Sequence, residues 1–180
     1  LAQRHSEITH AGFRVVGISI DSPAQNAAMV EKLRLPFPLL SDPDRTHAIG
    51  PYGVADETHK RNIARPATVF ILPDGTELAR TEGRDFADRT VGDEVVAQAQ
   101  AAGLPPATQP LPEIGPSEPG SDAFAFEQML PYYRGARFAA IAMGGRFPAA
   151  AEESAAYVDQ MDEYSEGAKA LYKARQAAGS

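Results

Sequence analysis

Apolar positions along the first hundred residues change period several times, and each change predicts an element. In residues 1–11, LAQRHSEITHA, the residues Leu1, His5, Ile8 and Ala11 share one face, which predicts a helix. Gly12 is placed to end it, as glycine does just past a helix C-terminus. Residues 13–20, FRVVGISI, make a nearly continuous apolar run, the mark of a strand buried on both faces in a parallel sheet. In DSPAQNAAMVEKL, Asp21 or Ser22 can cap a helix and Pro23 suits its first position. Ala27, Val30 and Leu33 form its buried stripe. Residues 37–40 predict a short strand, and Asp42-Pro43 opens another helix by the same cap-plus-proline logic, ended at Gly50-Pro51. Residues 54–64 are polar without a period and predict a loop. Residues 67–72, ATVFIL, and 76–81, TELART, flank a Pro73-Asp74-Gly75 turn and predict a β-hairpin. The loop EGRDFADR then leads to a helix over about residues 90–102.

The composition changes next. Residues 103–120 hold six prolines and three glycines, which predicts a semi-extended linker rather than a packed element. Two helical stretches follow, over about 122–146 with a break at Pro131, and from Pro148 to about Ala178. In the second, Tyr157, Met161, Tyr164, Ala168, Leu171 and Arg175 recur at spacings of four and three, a seam for another helix. Glu152 and Glu153 near its start and Lys169, Lys173 and Arg175 near its end suit the helix dipole. Phe124, Phe126, Tyr132, Tyr133 and Phe138 predict burial against a neighbour, and Gly144, Gly145 and Pro148 mark a turn between two antiparallel helices. The expected organisation is an α/β domain with a mixed sheet over residues 1–103, a Pro-rich linker over 104–121 and a helical hairpin over 122–180.

Charge and residue usage narrow the chemistry. The net charge of −7, with Lys and Arg dispersed, argues against a nucleic-acid or anionic-membrane surface. No apolar run has the length of a membrane-spanning helix. There is no cysteine, so disulfides, thiolate metal sites and thiol catalysis are absent from these residues. The chain starts at Leu1 inside a predicted helix, without a cap or an initiator Met, and the expectation is an N-terminally truncated piece. A cytoplasmic location is expected, with a signal peptide upstream as the alternative.

Pro66 needs an explanation. A proline at the mouth of a buried strand gives up a ladder hydrogen bond. By pattern alone it opens an edge strand in trans, and Arg65 is a solvated surface residue. The stretches GFRVVGISIDSPAQNAAMVEKLRLPFPLLSDPDRTHAIGPYGV, RPATVFILPDGTEL and EGRDFADRTVGDEVVAQ, however, resemble the peroxiredoxin family (alkyl hydroperoxide reductase / thiol-specific antioxidant type) of the thioredoxin-like superfamily. The resemblance covers about residues 1–103. Leu72-Pro73 replaces the Ile-Asp often found at the family's strand tip.

The resemblance implies a thioredoxin-like mixed sheet with flanking helices. It makes Pro66 a cis proline beside the reactive cysteine and Arg65 the arginine near that cysteine. A cation there favours the thiolate. It also places the peroxidatic cysteine, and the central strand before it, upstream of Leu1, so the chain as given is expected to be inactive. In the intact protein it implies a thiol peroxidase of antioxidant type. The thiolate attacks the peroxide O–O bond, forms a sulfenic acid and is restored by a second thiol. The implied partners are a hydroperoxide and a thiol reductant, with no metal or organic cofactor. Two alternatives stand beside it: a thiol–disulfide oxidoreductase on the same fold, and a Cys-free binding module that self-associates through residues 122–180.

Other polar residues read as structural. His5, His10, His47 and His59 lack metal-binding spacing. DETHK over residues 56–60 reads as a solvated turn. Gly83, Arg84, Asp85 and Asp88 read as shaping a loop and capping the next helix.

Overall fold

The computed structural model describes residues 1–85 and 88–178, so part of the 82–89 loop lies outside the described residues. The chain forms two units, Leu1–Gly120 and Ser121–Ser180.

In the first unit a short 3₁₀ turn, Ala2–Arg4, leads into α1 (His5–His10). Gly12, at φ +94°, closes α1 as predicted. The Gly12 N–H donates to the Thr9 carbonyl and the Phe13 N–H to the Ile8 carbonyl, both at 3.1 Å. That reversal drops Phe13 beside Ile8 in the core with Phe70, Val95, Val96 and Ala99. Phe13 and Phe70 meet edge to face at 5.2 Å.

The strand expected over residues 13–20 narrows to β1 (Gly17–Ser19). Apolar pattern alone does not make a strand: a ladder partner is needed, and only these residues have one, the parallel strand β2 (Leu39–Ser41). Between them runs α2 (Pro23–Leu33). Its capping box is complete: Ser22 accepts from the Gln25 N–H while the Gln25 side chain accepts from the Ser22 N–H. Asn26, buried on the inner face of α2, donates to the carbonyls of Asp21 and Leu40 and accepts from Ser19 Oγ, which ties the helix to both strands.

The helix expected after Asp42-Pro43 is a series of turns instead. Asp42 is almost fully buried, and its carboxylate accepts the N–H groups of His47, Ala48 and Ile49 at 2.8–3.1 Å. Those donors are held by a side chain rather than by an i−4 carbonyl, so the segment curls around the carboxylate.

The β-hairpin pairs β3 (Ala67–Ile71) with β4 (Glu77–Glu82), with a register shift between Phe70 and Ile71. Two separate two-stranded sheets result, one parallel and one antiparallel; β1 and β3 are not hydrogen-bonded to each other. Helix α3 (Gly92–Ala101) buries Val95, Val96 and Ala99 in the core, and Arg4 pairs with Glu7 and with Asp93 in the first turn of α3. After α3 the Pro-rich stretch contains no helix or strand, yet it is fastened to the unit, contrary to the expectation of an unpacked linker. Leu104 packs on the core, the Ala107 N–H donates to the Thr9 carbonyl and the Glu118 N–H donates to the Ala24 carbonyl. Arg14 donates to the Pro110 carbonyl and Ser117 to Glu31. Extended backbone leaves its N–H and C=O groups free for such partners.

In the second unit a 3₁₀ turn, Phe126–Gln128, runs into α4 (Met129–Arg146). Pro131 does not interrupt it. It lies in the first turn, where a missing N–H costs no helix hydrogen bond. A second 3₁₀ turn, Pro148–Ala150, leads to α5 (Ala151–Ala177). The expected seam is present: Met161 and Ala168 are buried, and Tyr157, Tyr164, Leu171 and Arg175 are half-buried. Tyr133 of α4 meets Tyr164 of α5 at 5.6 Å, Arg137 pairs with Asp162 at 2.7 Å, and Arg175 sits 4.8 Å over the ring of Phe126. Gly144 lets the helices close in, since a Cβ there would lie 2.9 Å from that of Ser154.

Candidate functional site

Arg65 and Pro66 form the entry to β3. The Arg65 N–H donates to the Val54 carbonyl at 2.8 Å, and the Pro66 carbonyl accepts from the Gly83 N–H at 2.7 Å. Pro66 therefore sits where the chain has one backbone partner on each side, and its lack of an N–H leaves no neighbour unsatisfied. The Arg65–Pro66 bond is trans, as are the other described peptide bonds, which corrects the expected cis proline. The backbone on both sides of the bond is already paired in the trans arrangement, and that isomer is also the intrinsically favoured one.

The Arg65 side chain is anchored while staying partly exposed. Its guanidinium donates to the Gly53 carbonyl at 3.1 Å and to Glu82 at 2.8 Å. Its Nε–H is buried and meets no acceptor among the described residues. Glu82 also accepts from Arg80 at 2.9 Å. Arg80 in turn pairs with Glu77 at 2.6 Å and donates to the Tyr52 carbonyl at 2.9 Å. Two guanidiniums and two carboxylates thus form a neutral cluster on the outer surface of the hairpin. Glu77 and then Glu82 raise the already high Arg80 pKa further, and Arg80 lowers that of Glu77. The Arg65–Glu82 pair is partly exposed, so its contribution to stability is small, about 1 kcal/mol or less. Chemically, the cluster holds a cation at a fixed point beside the mouth of β3, with one buried N–H that meets no acceptor among the described residues.

The first 76 residues carry the pattern of a known family. The family model described as AhpC/TSA matches residues 1–76, a span that runs from α1 through the Pro73-Asp74-Gly75 turn. Residues 1–76 are similar to the AhpC/TSA family. None of the curated proteins compared matches the chain. The AhpC/TSA segment implies a thioredoxin-like fold, and the parallel β1–β2 pair, the antiparallel hairpin and the flanking helices are its mixed α/β framework. The AhpC/TSA family is one of thiol redox proteins, which gives the coarse class of chemistry. Arg65 and Pro66 both fall within the matched residues.

The remaining polar candidates are structural. Asp56 accepts from the Thr58 hydroxyl, the Thr58 N–H and the His59 N–H, and these bonds hold its carboxyl below the usual range, as in an Asx turn. Arg84 donates to Asp88 from both its backbone and its side chain, which lowers the Asp88 pKa. This loop does not cap α3, because Val91 holds the cap position without a side-chain hydrogen bond. His59 Nδ1 accepts from the Arg61 N–H, and the His5 ring lies 5.9 Å from that of Phe37. Among the described residues no group of three or more His, Asp or Glu is placed to hold a metal ion, and no helix is long and apolar enough to cross a membrane.

Sequence reasoning missed Glu82, the partner that fixes Arg65, because it lies 17 residues away with no local signal. It also missed the burial of Asp42, although Ser41-Asp42-Pro43-Asp44 is a turn-forming run whose first Asp commonly binds backbone N–H groups.

Proposed function

We propose that the intact protein is a thiol-dependent peroxidase of antioxidant type, and that these 180 residues do not reduce hydroperoxides by themselves. The AhpC/TSA match over residues 1–76 carries the reading. The anchored guanidinium of Arg65 at the mouth of β3 supports it. The attacking thiol has to come from outside the 180 residues, which contain no cysteine.

The reaction balances simply. A cysteine thiolate attacks one peroxide oxygen, the O–O bond breaks, and the leaving oxygen takes a proton to become water or an alcohol. The resulting sulfenic acid is reduced by two equivalents of an external thiol, which leave as a disulfide and water. Arg65 would favour the thiolate and the developing charge on the leaving oxygen.

The test compares the 180-residue chain with the chain extended upstream in its natural reading frame. Consumption of hydrogen peroxide and of an organic hydroperoxide is followed with dithiothreitol as donor. The extended chain is expected to turn over and to lose activity when its cysteine is replaced by serine; Arg65→Gln should slow it about 10- to 100-fold. The 180-residue chain should be inactive. Turnover by the 180-residue chain, or an extended chain that reduces protein disulfides but not peroxide, overturns the proposal.

A further inference from the structure

The 180 residues contain neither cysteine nor tryptophan, which leaves tyrosine as their aromatic side chain most easily oxidised by one electron. Five of the six tyrosines lie beyond residue 120, in the helical unit. Three of those five touch in a row. Tyr132 is 53% exposed, its ring lies 5.7 Å from that of Tyr133, and Tyr133 lies 5.6 Å from Tyr164. The row runs from solvent, along the start of α4, and across the seam to α5. Rings in contact exchange an electron readily, so an oxidation that begins at Tyr132 does not stay there.

Tyr133 and Tyr164 are the pair placed to join. Both are half-buried, and they stand on different helices with their rings tilted by 58°. The Arg137–Asp162 ion pair and the buried Met161 hold the two helices together beside them. Coupling of two radicals requires both rings in one place at one time, and a packed seam supplies that without a diffusional encounter. Tyr132 and Tyr133 also touch, but consecutive helix positions point about 100° apart, so a bond between those rings would distort α4. Tyr172 is engaged elsewhere, stacked on Phe126.

We propose that Tyr133 and Tyr164 form a dityrosine cross-link between α4 and α5 when the protein meets a one-electron oxidant, with Tyr132 as the point of entry. The oxidant belongs to the class of high-valent haem or metal–oxo species that hydroperoxides generate. Each of the two tyrosines gives one electron to the oxidant and its phenol proton to water. The two phenoxyl radicals then form one carbon–carbon bond between positions ortho to the oxygens. The ortho hydrogen of each ring moves to its oxygen and restores two phenols. The net loss is two electrons and two protons, and the oxidant is reduced by two electrons in two steps. The product is a covalent staple across the seam. A cross-link restricts the unfolded chain, so the helical unit becomes harder to unfold. The inference stands apart from the thiol chemistry proposed above.

Treatment of the full chain, at high dilution, with hydrogen peroxide and a haem peroxidase tests it. The expected product is a covalent monomer with the blue fluorescence of dityrosine, a mass lower by two hydrogens, and a peptide map that joins Tyr133 to Tyr164. Its helical unit should melt at a higher temperature than that of the untreated chain. Tyr133→Phe and Tyr164→Phe keep a ring in the seam, and each should abolish the intramolecular product. Tyr132→Phe should leave the same linkage but slow its formation several-fold. Dityrosine found only in covalent dimers, a map that joins any other pair, or oxidised monomers without a cross-link overturn the proposal. So does a rate of cross-linking indifferent to Tyr132→Phe.

Discussion

Residues 1–120 fix their turns and short strands with polar side-chain anchors, whereas residues 121–178 hold two long helices through a packed seam. In the first unit Asp42, Asn26 and the Ser22–Gln25 box each satisfy backbone or side-chain groups that the neighbouring element leaves open. Its sheets have two strands each, which is too few to be stable without such help. In the second unit Met161, Ala168, Tyr133 and Tyr164 do the equivalent work by contact area. Polar anchors fail abruptly when one atom is lost, because the stranded partners remain buried. Apolar seams weaken in proportion to the volume removed.

Substitutions separate the two modes. Phe70→Ala removes the ring that meets Phe13 and should cost about 3–5 kcal/mol, seen as lost amide protection across β3, β4 and α3 in hydrogen exchange. Met161→Ala should cost about 2–5 kcal/mol, with the lost protection confined to α4 and α5. If protection in the two units instead fell together in both variants, the division drawn here would be wrong.

Acid sharpens the contrast. Burial pushes the Asp42 carboxyl up, but the N–H donors of Ile49, His47 and Ala48 outweigh it and hold its pKa below the ordinary value. A carboxyl lowered by folding stabilises the fold above its unfolded pKa of about 4, and that stability is lost as pH falls through the lower folded value. Exchange protection of residues 47–49 should therefore fall away progressively as the pH drops below the unfolded carboxyl pKa of about 4. Asp42→Ala should remove it at neutral pH and lower the Tm of the first unit by on the order of 10 °C. The smallest effect is expected for Ser22→Ala, about 0.5–2 kcal/mol, with fraying limited to the first turn of α2.

Elements whose signal is local were legible in the sequence. The Ser22-Pro23 start of α2, the reversal at Gly12, the hairpin around Gly75 and the seam of α5 all follow from neighbours within a few residues. Readings failed where a distant group decides. Strand β1 is three residues long because its ladder ends where β2 ends. Asp42 takes up the N–H groups that would have begun a helix. Arg65 was legible as a position, through its place before Pro66, but its ion pair depends on Glu82 of β4, which no local pattern marks. The trans geometry of Pro66 was the plain expectation from the residues alone, and the family resemblance argued against it.

The fastened stretch between Leu104 and Glu118 has a practical consequence for dissecting the molecule. Composition invites a cut just after α3. A chain ended there would lose the Leu104 packing and the bonds from Ala107, Ser117 and Glu118 that close over α1 and α2. Expression of the N-terminal unit should instead stop after Gly120, and proteases added to the whole protein should cleave at the 120–125 junction before they reach any of the six upstream prolines.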